Sequence, residues 1–363
     1  MPEQHARRRA RLAERITEGG FDAALVTRLV NVRYLTGFSG SNGALLLTPG
    51  AAVLATDGRY EEQAAAEAPD VERLIERAVA HALAARAAER GLARVAYETH
   101  DVTVDLHHEL GEAAPALELV SLGQAVESLR AVKDDAEIAL VAEACAIADR
   151  ALAELLAGLR PGRTERDVAA ELEGRMRAHG ADGPSFETIV ASGPNSAVPH
   201  HHPSDRELRA GELLKLDFGA LHAGYHSDMT RTVVLGPVAD WQRDLHALVD
   251  AAARAGREAV ADGTPAVAVD RAARSVIERA GQGERFMHGL GHGVGLDVQE
   301  RPWLGQSSDD TLRDGMVLTV EPGVYLPGRG GVRIEDIVVV GQSGGDGAAP
   351  RILTGSPREL LVL

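Results

Sequence analysis

The stretch Leu213-Leu-Lys-Leu-Asp217-Phe-Gly-Ala-Leu-His222-Ala-Gly-Tyr-His-Ser-Asp228-Met-Thr-Arg-Thr-Val-Val-Leu235 decides the fold. Two largely apolar runs, Leu213–Ala220 and Tyr225–Leu235, flank the short break Leu221–Gly224, which is the pattern of antiparallel strands joined by a turn. A turn tip at His222 and Ala223 sets Asp217 opposite Asp228, with Cβ atoms about 5 Å apart. The pattern returns in Val317-Leu-Thr-Val-Glu321-Pro-Gly-Val-Tyr-Leu-Pro-Gly328-Arg-Gly-Gly-Val-Arg333-Ile-Glu335-Asp-Ile-Val-Val-Val340. A turn centred on Gly328 sets Glu321 opposite Glu335. Each hairpin therefore presents one carboxylate pair on one sheet face. Opposed carboxylates repel and destabilise strands unless something neutralises them. One answer is a pair of divalent cations about 3.5–4 Å apart, held by both pairs. The other is a solvent-facing polar row with Arg231 and Arg333 as partners.

Between the hairpins lies His288-Gly-Leu-Gly-His292-Gly-Val-Gly-Leu-Asp297, in which six of ten residues are Gly or His. Glycine lets the backbone approach a neighbour closely. A lone histidine is usually structural, but one set among glycines between two carboxylate pairs reads as a ligand or a proton carrier. Ligands that are mostly oxygen with a single imidazole suit Mn²⁺ and Co²⁺, admit Zn²⁺ and suit Cu poorly.

Working outward, the two hairpins belong to two similar halves. Gly162, Val168, Met176 and Gly180 recur 101 residues later as Gly263, Val269, Ile277 and Gly281. In each copy a glycine turn opens an amphipathic helix of about five turns. Thr164 with Asp167 reads as a variant capping box on the first. Longer helical patterns precede each, over Asp134–Leu159 and Val238–Ala261, and strands follow. Repeated units of this kind predict two α+β halves facing each other.

The N-terminal third is organised differently. Ala24–Thr27, Gly43–Thr48, Ala52–Thr56 and Val95–Glu98 read as strands, and Tyr60–Ala68 and Val79–Arg90 as helices, which is the alternation of a small α/β domain. The charged stretch Glu127–Asp135 marks the boundary, giving domains 1–128 and 129–363. A length of 363 residues fits two domains. With 38 basic against 54 acidic residues the net charge is −16, which argues against nucleic acid or an anionic membrane as partner. Cys145 is the only cysteine, so no intrachain disulfide or thiolate cluster is possible, and its apolar setting reads as core. Arg7, Arg8, Arg9 and Arg11 read as a solvated helix face; no apolar run follows them as in a secretory signal, and cytoplasm is the expected location.

Five ordered motifs resemble the pita-bread metallopeptidases, specifically the Xaa-Pro branch of aminopeptidase P and prolidase. They are Leu216-Asp-Phe-Gly-Ala220, Ser227-Asp-Met-Thr-Arg-Thr232, His288-Gly-Leu-Gly-His-Gly-Val-Gly295, Thr319-Val-Glu-Pro-Gly323 and Gly331-Val-Arg-Ile-Glu-Asp336. Val32-Arg-Tyr-Leu-Thr-Gly-Phe-Ser-Gly40 and Thr56-Asp-Gly-Arg-Tyr60 resemble that branch's N-terminal domain. The resemblance implies an α+β protein: a C-terminal pita-bread fold of two pseudo-symmetric αβ halves behind a smaller α/β creatinase/prolidase-type domain. It implies two divalent metal ions, most readily Mn²⁺, held by Asp217, Asp228, His292, Glu321 and Glu335, with a water or hydroxide between them as nucleophile. Glu321 would shuttle the proton, His288 would contact substrate at the scissile bond, and His200 would help stabilise the intermediate. Arg333 is expected to touch substrate. His201 and His202 read as loop residues.

The pattern is broken once. Where the family commonly places a second substrate-binding histidine, seven residues after His292, this chain has Gln299, which donates a hydrogen bond but carries no proton. The arginine suited to a dipeptide's carboxylate is also displaced, with Arg301 ahead of Pro302 and Trp303. Gln299 bears on the pocket chemistry and the preferred substrate length, not on the metal site; the displaced arginine favours an Xaa-Pro aminopeptidase, with Xaa-Pro dipeptidase as the alternative. Tyr225, Phe186 and Trp303 are candidate walls for a proline ring. The resemblance also implies a homodimer acting on proline-containing peptides. A metal-free creatinase-like hydrolase or a non-catalytic binding module would lack the full ligand set, and a methionine aminopeptidase would leave residues 1–130 unexplained.

Overall fold

A computed structural model describes residues 2–341 and 350–363. The chain forms two compact units, Met1–Arg130 and Ala131–Leu363. Among the described residues no helix is long and apolar enough to cross a membrane.

The first unit is built on one six-stranded mixed sheet, in the order Glu72–Ile75, Ala52–Thr56, Gly43–Leu47, Ala23–Val26, Arg94–Tyr97, Glu118–Ser121. The two outermost strands escape the sequence reading because each holds only two apolar residues, Leu74 and Ile75 or Leu119 and Val120, too short a run beside charged and polar neighbours to read as a strand. Helix Val79–Glu89 buries Ala80, Leu83, Ala84 and Ala87, one stripe at helical spacing, over the sheet core. On helix Pro2–Glu18, Arg7 and Arg11 are exposed as expected, but Arg8 and Arg9 correct the expectation of a solvated face. Arg8 and Arg9 are buried and donate to the carbonyls of Tyr34 and Leu35, near the C-terminal end of helix Leu29–Thr36, and Arg9 also pairs with Asp70.

The second unit repeats one plan. Helices Asp135–Gly158 and Glu165–Ala178 lead into strands Ile189–Ser192, Glu212–Phe218 and Met229–Leu235; helices Asp240–Glu258 and Ala266–Arg279 lead into a five-stranded sheet. The repeat helices Glu165–Ala178 and Ala266–Arg279 are 14 residues each, about four turns rather than five. Val168, Met176, Val269 and Ile277 are wholly buried, and Gly162 and Gly263 share the left-handed backbone that opens each helix. Both capping boxes of the first half form, Asp134 with Glu137 and Thr164 with Asp167. Cys145 lies in the core.

The two halves meet along the strands that carry the carboxylates. Glu335 N donates to Thr230 O at 3.1 Å and Thr232 Oγ1 to Arg333 O at 3.0 Å.

Candidate metal centre

The second hairpin has the expected register. Val320 pairs with Asp336 and Gly323 with Arg333, and the ladders on both sides of Glu321 and Glu335 share one frame, centred on Gly328 in the left-handed conformation. The first hairpin is shifted. Asp217 faces Thr230 rather than Asp228, and Met229 faces Phe218. The turn tip is Ala223–Gly224, one residue later than expected, with φ of 49° and 83°. A two-residue hairpin of this hand needs positive φ at both central positions, so it takes in the glycine. Asp228 consequently stands level with Gly219. A Cβ there would lie 1.8 Å from Ser227 O, so only glycine lets the two strands close beside the acid.

The glycines around His292 serve the same end. A Cβ at Gly291 would lie 2.1 Å from Thr319 O, so strand Gly291–Gly293 presses directly onto strand Val317–Val320. That contact brings His292 to the carboxylates: Nε2 stands 3.7 Å from Asp228 Oδ2 and 3.5 Å from Glu321 Oε1. Its Nδ1 is 3.0 Å from Gly293 O. A carbonyl only accepts, so Nδ1 carries the proton and Nε2 turns its lone pair on the acids. Asp228, His292 and Glu335 each offer one ligand atom within 4.8 Å of the others.

The electrostatics ask for cations. Asp217, Asp228, Glu321 and Glu335 line one cavity whose lining holds a single arginine, Arg333. Burial, then the charges of its neighbours, pushes the Asp228 and Glu335 carboxyls well above the usual carboxylate range. Burial pushes Glu321 up to about 7. Asp217 Oδ1 is buried without a hydrogen-bond partner. An orphaned carboxylate oxygen beside a lone imidazole nitrogen and three further acids is a donor set that fits hard divalent cations.

Arg333 lies in the wall, and its hydrogen bonds run inward: it pairs with Asp217, and donates to Thr230 Oγ1 at 2.9 Å, Tyr325 Oη at 3.1 Å and Pro199 O at 3.2 Å. Thr230 Oγ1 in turn donates to Glu335 Oε2 at 2.7 Å. His288 Nδ1 sits 2.8 Å from Gly289 O, so its Nε2, 2.9 Å from Tyr325 Oη, accepts from that hydroxyl. Burial, then Arg333, holds the His288 imidazole down at about 3. His200 and Gln299 line the same cavity, of about 920 Å³.

Phe186 and Trp303 are in the lining, as a proline pocket would need. Tyr225 is not: it is buried with its hydroxyl donating to Glu137 Oε1 at 2.9 Å, which removes it from the candidate walls. Arg301 is turned to Asp310 at 2.6 Å. Thr230 and Tyr325 were missed by the sequence reading, although Thr230 sits inside one of its motifs and Tyr325 in the second hairpin. Their roles depend on Arg333, which reaches them only across strands.

The chain matches two family models, Metallopeptidase family M24 over residues 139–342 and Creatinase/Prolidase N-terminal domain over residues 8–132. It is 34% identical to an Xaa-Pro dipeptidase of Pyrococcus horikoshii over 97% of each chain. Among solved structures, an Xaa-Pro dipeptidase from Bacillus anthracis superposes with a TM-score of 0.94 at 37% identity, over 99% of this chain and 100% of that one. An X-Pro aminopeptidase from Thermotoga maritima gives 0.90 at 35% identity, over 98% and 99%. With two αβ halves converging on four carboxylates and a histidine, and with both family models matched in order, the chain belongs to metallopeptidase family M24, with a creatinase/prolidase N-terminal domain ahead of its metallopeptidase domain.

Proposed function

We propose that the protein is a metal-dependent Xaa-Pro peptidase whose preferred substrates are dipeptides. The observation that carries the hydrolase reading is the cluster of buried acids around His292 Nε2, with Asp217 Oδ1 left unpartnered. Asp217, Asp228, His292, Glu321 and Glu335 would hold two divalent cations, Mn²⁺ in the first place and Co²⁺ or Zn²⁺ as alternatives. Bound cations would lower the pKa of an attacking water and stabilise the charge that develops on the scissile carbonyl.

The chain's own residues supply the rest. Arg333 and Thr230 hold Asp217 and Glu335 in place, and Gly293 O keeps His292 in the tautomer that presents Nε2. Glu321, between His292 Nε2 and Arg333 Nε, is the carboxyl able to take a proton and return it to the leaving proline nitrogen. That nitrogen, part of a tertiary amide without N–H, must gain a proton to leave, as any amide nitrogen must. Phe186 and Trp303 provide apolar surface for its ring, and His200 and His288 stand beside the scissile bond.

The choice of dipeptide over longer peptide departs from the sequence expectation. It rests on the two relatives named Xaa-Pro dipeptidase, from Pyrococcus horikoshii and Bacillus anthracis. The second reading, an Xaa-Pro aminopeptidase, is favoured by the likeness to the Thermotoga maritima enzyme and by Arg301, whose charge faces Asp310. A homodimer, which rests on the family resemblance, and the cytoplasmic location expected from the sequence reading complete the proposal. The test compares Xaa-Pro dipeptides with Xaa-Pro-Xaa tripeptides on chelator-stripped protein before and after Mn²⁺ or Co²⁺. Faster dipeptide turnover that appears only with metal is expected. Full activity of verified metal-free protein would overturn the metal-dependent reading, and faster tripeptide turnover would overturn the dipeptide choice.

A further inference from the structure

Residues 192–204 form a strap of which His200, His201 and His202 line the cavity. Its anchor is Glu165, the first residue of helix Glu165–Ala178, which is wholly buried. Oε1 accepts from Ser192 N at 2.7 Å, Ser192 Oγ at 2.8 Å and Asn195 Nδ2 at 2.9 Å. Oε2 accepts from His201 Nε2 at 2.8 Å, Ser204 N at 3.1 Å and Ser204 Oγ at 2.6 Å.

All six donors come from the strap. They fall on both sides of His200, Ser192 and Asn195 before it, His201 and Ser204 after it. A carboxylate that merely capped its helix would bond to that helix's own first N–H groups. A buried carboxylate is unfavourable unless its lone pairs are filled, so each of these donors resists release. Burial opposes ionisation of Glu165, but the bonds from Ser204, Ser192, His201 and Asn195 outweigh it and hold the carboxyl down at about 2. From the other side Lys215 Nζ donates to the carbonyls of Val198 and Pro199 at 2.6 and 3.0 Å, so the segment just before His200 is gripped as well.

We propose that Glu165 is a positioning residue that sets where His200 stands in the cavity, acting through the strap and touching no substrate itself. The proposal rests on the peptidase reading, which gives His200 its place beside the scissile bond. It also gives His201 a use, as one of the ties that hold its neighbour.

Glu165→Gln keeps the side chain's shape but turns an N–H₂ onto three donors. With Mn²⁺-loaded protein and an Xaa-Pro dipeptide, kcat is expected to fall about 10- to 100-fold, the scale of a misplacement near 1 Å, with KM within about twofold and metal content unchanged. In a His200→Ala background the same change should add less than about twofold, because the residue it acts through is gone. Independently of turnover, the His200 imidazole proton resonance of the metal-free protein, identified by its loss in His200→Ala, should shift or broaden in Glu165→Gln. If Glu165→Gln does not fold, His201→Ala removes one tie and His201→Gln restores a donor, and the same readouts apply. An equal loss of kcat with and without His200, together with an unmoved His200 resonance, would overturn the proposal. Should the loaded parent cleave no Xaa-Pro peptide, the peptidase reading fails, and the resonance alone still decides whether Glu165 positions His200.

Discussion

His246 offers a test of how far burial alone sets a protonation state in this protein. It lies on helix Asp240–Glu258 and is 5% exposed. Burial pushes its imidazole from 6.5 down to about 4; Asp250 and Glu359 work against the shift and Arg231 adds to it. The folded protein therefore keeps His246 neutral where the unfolded chain would protonate it. The unfolded state binds more protons between those two values, so the stability contributed is complete above pH 6.5 and is lost as pH falls towards 4. The gap from 6.5 to about 4 corresponds to about 3 kcal/mol, of which about 2 kcal/mol is lost by pH 5. His246→Leu fills a similar volume and has no proton to gain. Both tryptophans, Trp241 and Trp303, lie in the unit Ala131–Leu363, so their fluorescence during urea unfolding reports on that unit alone. Metal-free protein should be used, so that cation binding does not enter the equilibrium. Between pH 7.5 and 5.0 the parent should lose about 2 kcal/mol more than His246→Leu. Losses equal within about 0.5 kcal/mol would refute the reasoning, because the imidazole would then titrate alike in both states.

Two changes probe the site itself. Asp228→Ala should lower bound metal, measured by elemental analysis, from two ions to one or none and abolish turnover, because the remaining acids cannot hold two adjacent cations; retention of both ions would show that Asp228 is not a ligand. Gln299→His should change kcat/KM by less than about tenfold, one hydrogen bond's worth, if the family's histidine acts there chiefly as a donor; a gain of about a hundredfold would mean that the missing imidazole matters as a proton carrier.

Much of the architecture is legible in one dimension. The 101-residue offset between the repeat helices is written in glycines that flank each helix and in buried apolar residues eight positions apart, about two helical turns. The register of Glu321 and Glu335 follows from the centre at Gly328, because strand pairing propagates faithfully from a symmetric turn. The same reasoning slipped by one residue at the first hairpin. There the chain accepts a left-handed Ala223 to bring Gly224 into the tip, and Asp217 meets Thr230 instead of Asp228.

What the amino-acid sequence determined by itself is the set of groups and their local order: the acids, His292 among its glycines, the helices with their caps. These follow from backbone sterics and periodic burial, which act over a few residues. The tertiary structure alone decided which groups share an environment. Arg333 reaches Asp217 across 116 positions, and Glu165 reaches His201 across 36. Arg8 and Arg9, which read as solvated, are buried against carbonyls 26 positions away. Protonation states belong to the same class. Glu321 near 7 and His288 near 3 differ from free side chains because burial and neighbouring charge act through space, where separation along the chain has no meaning.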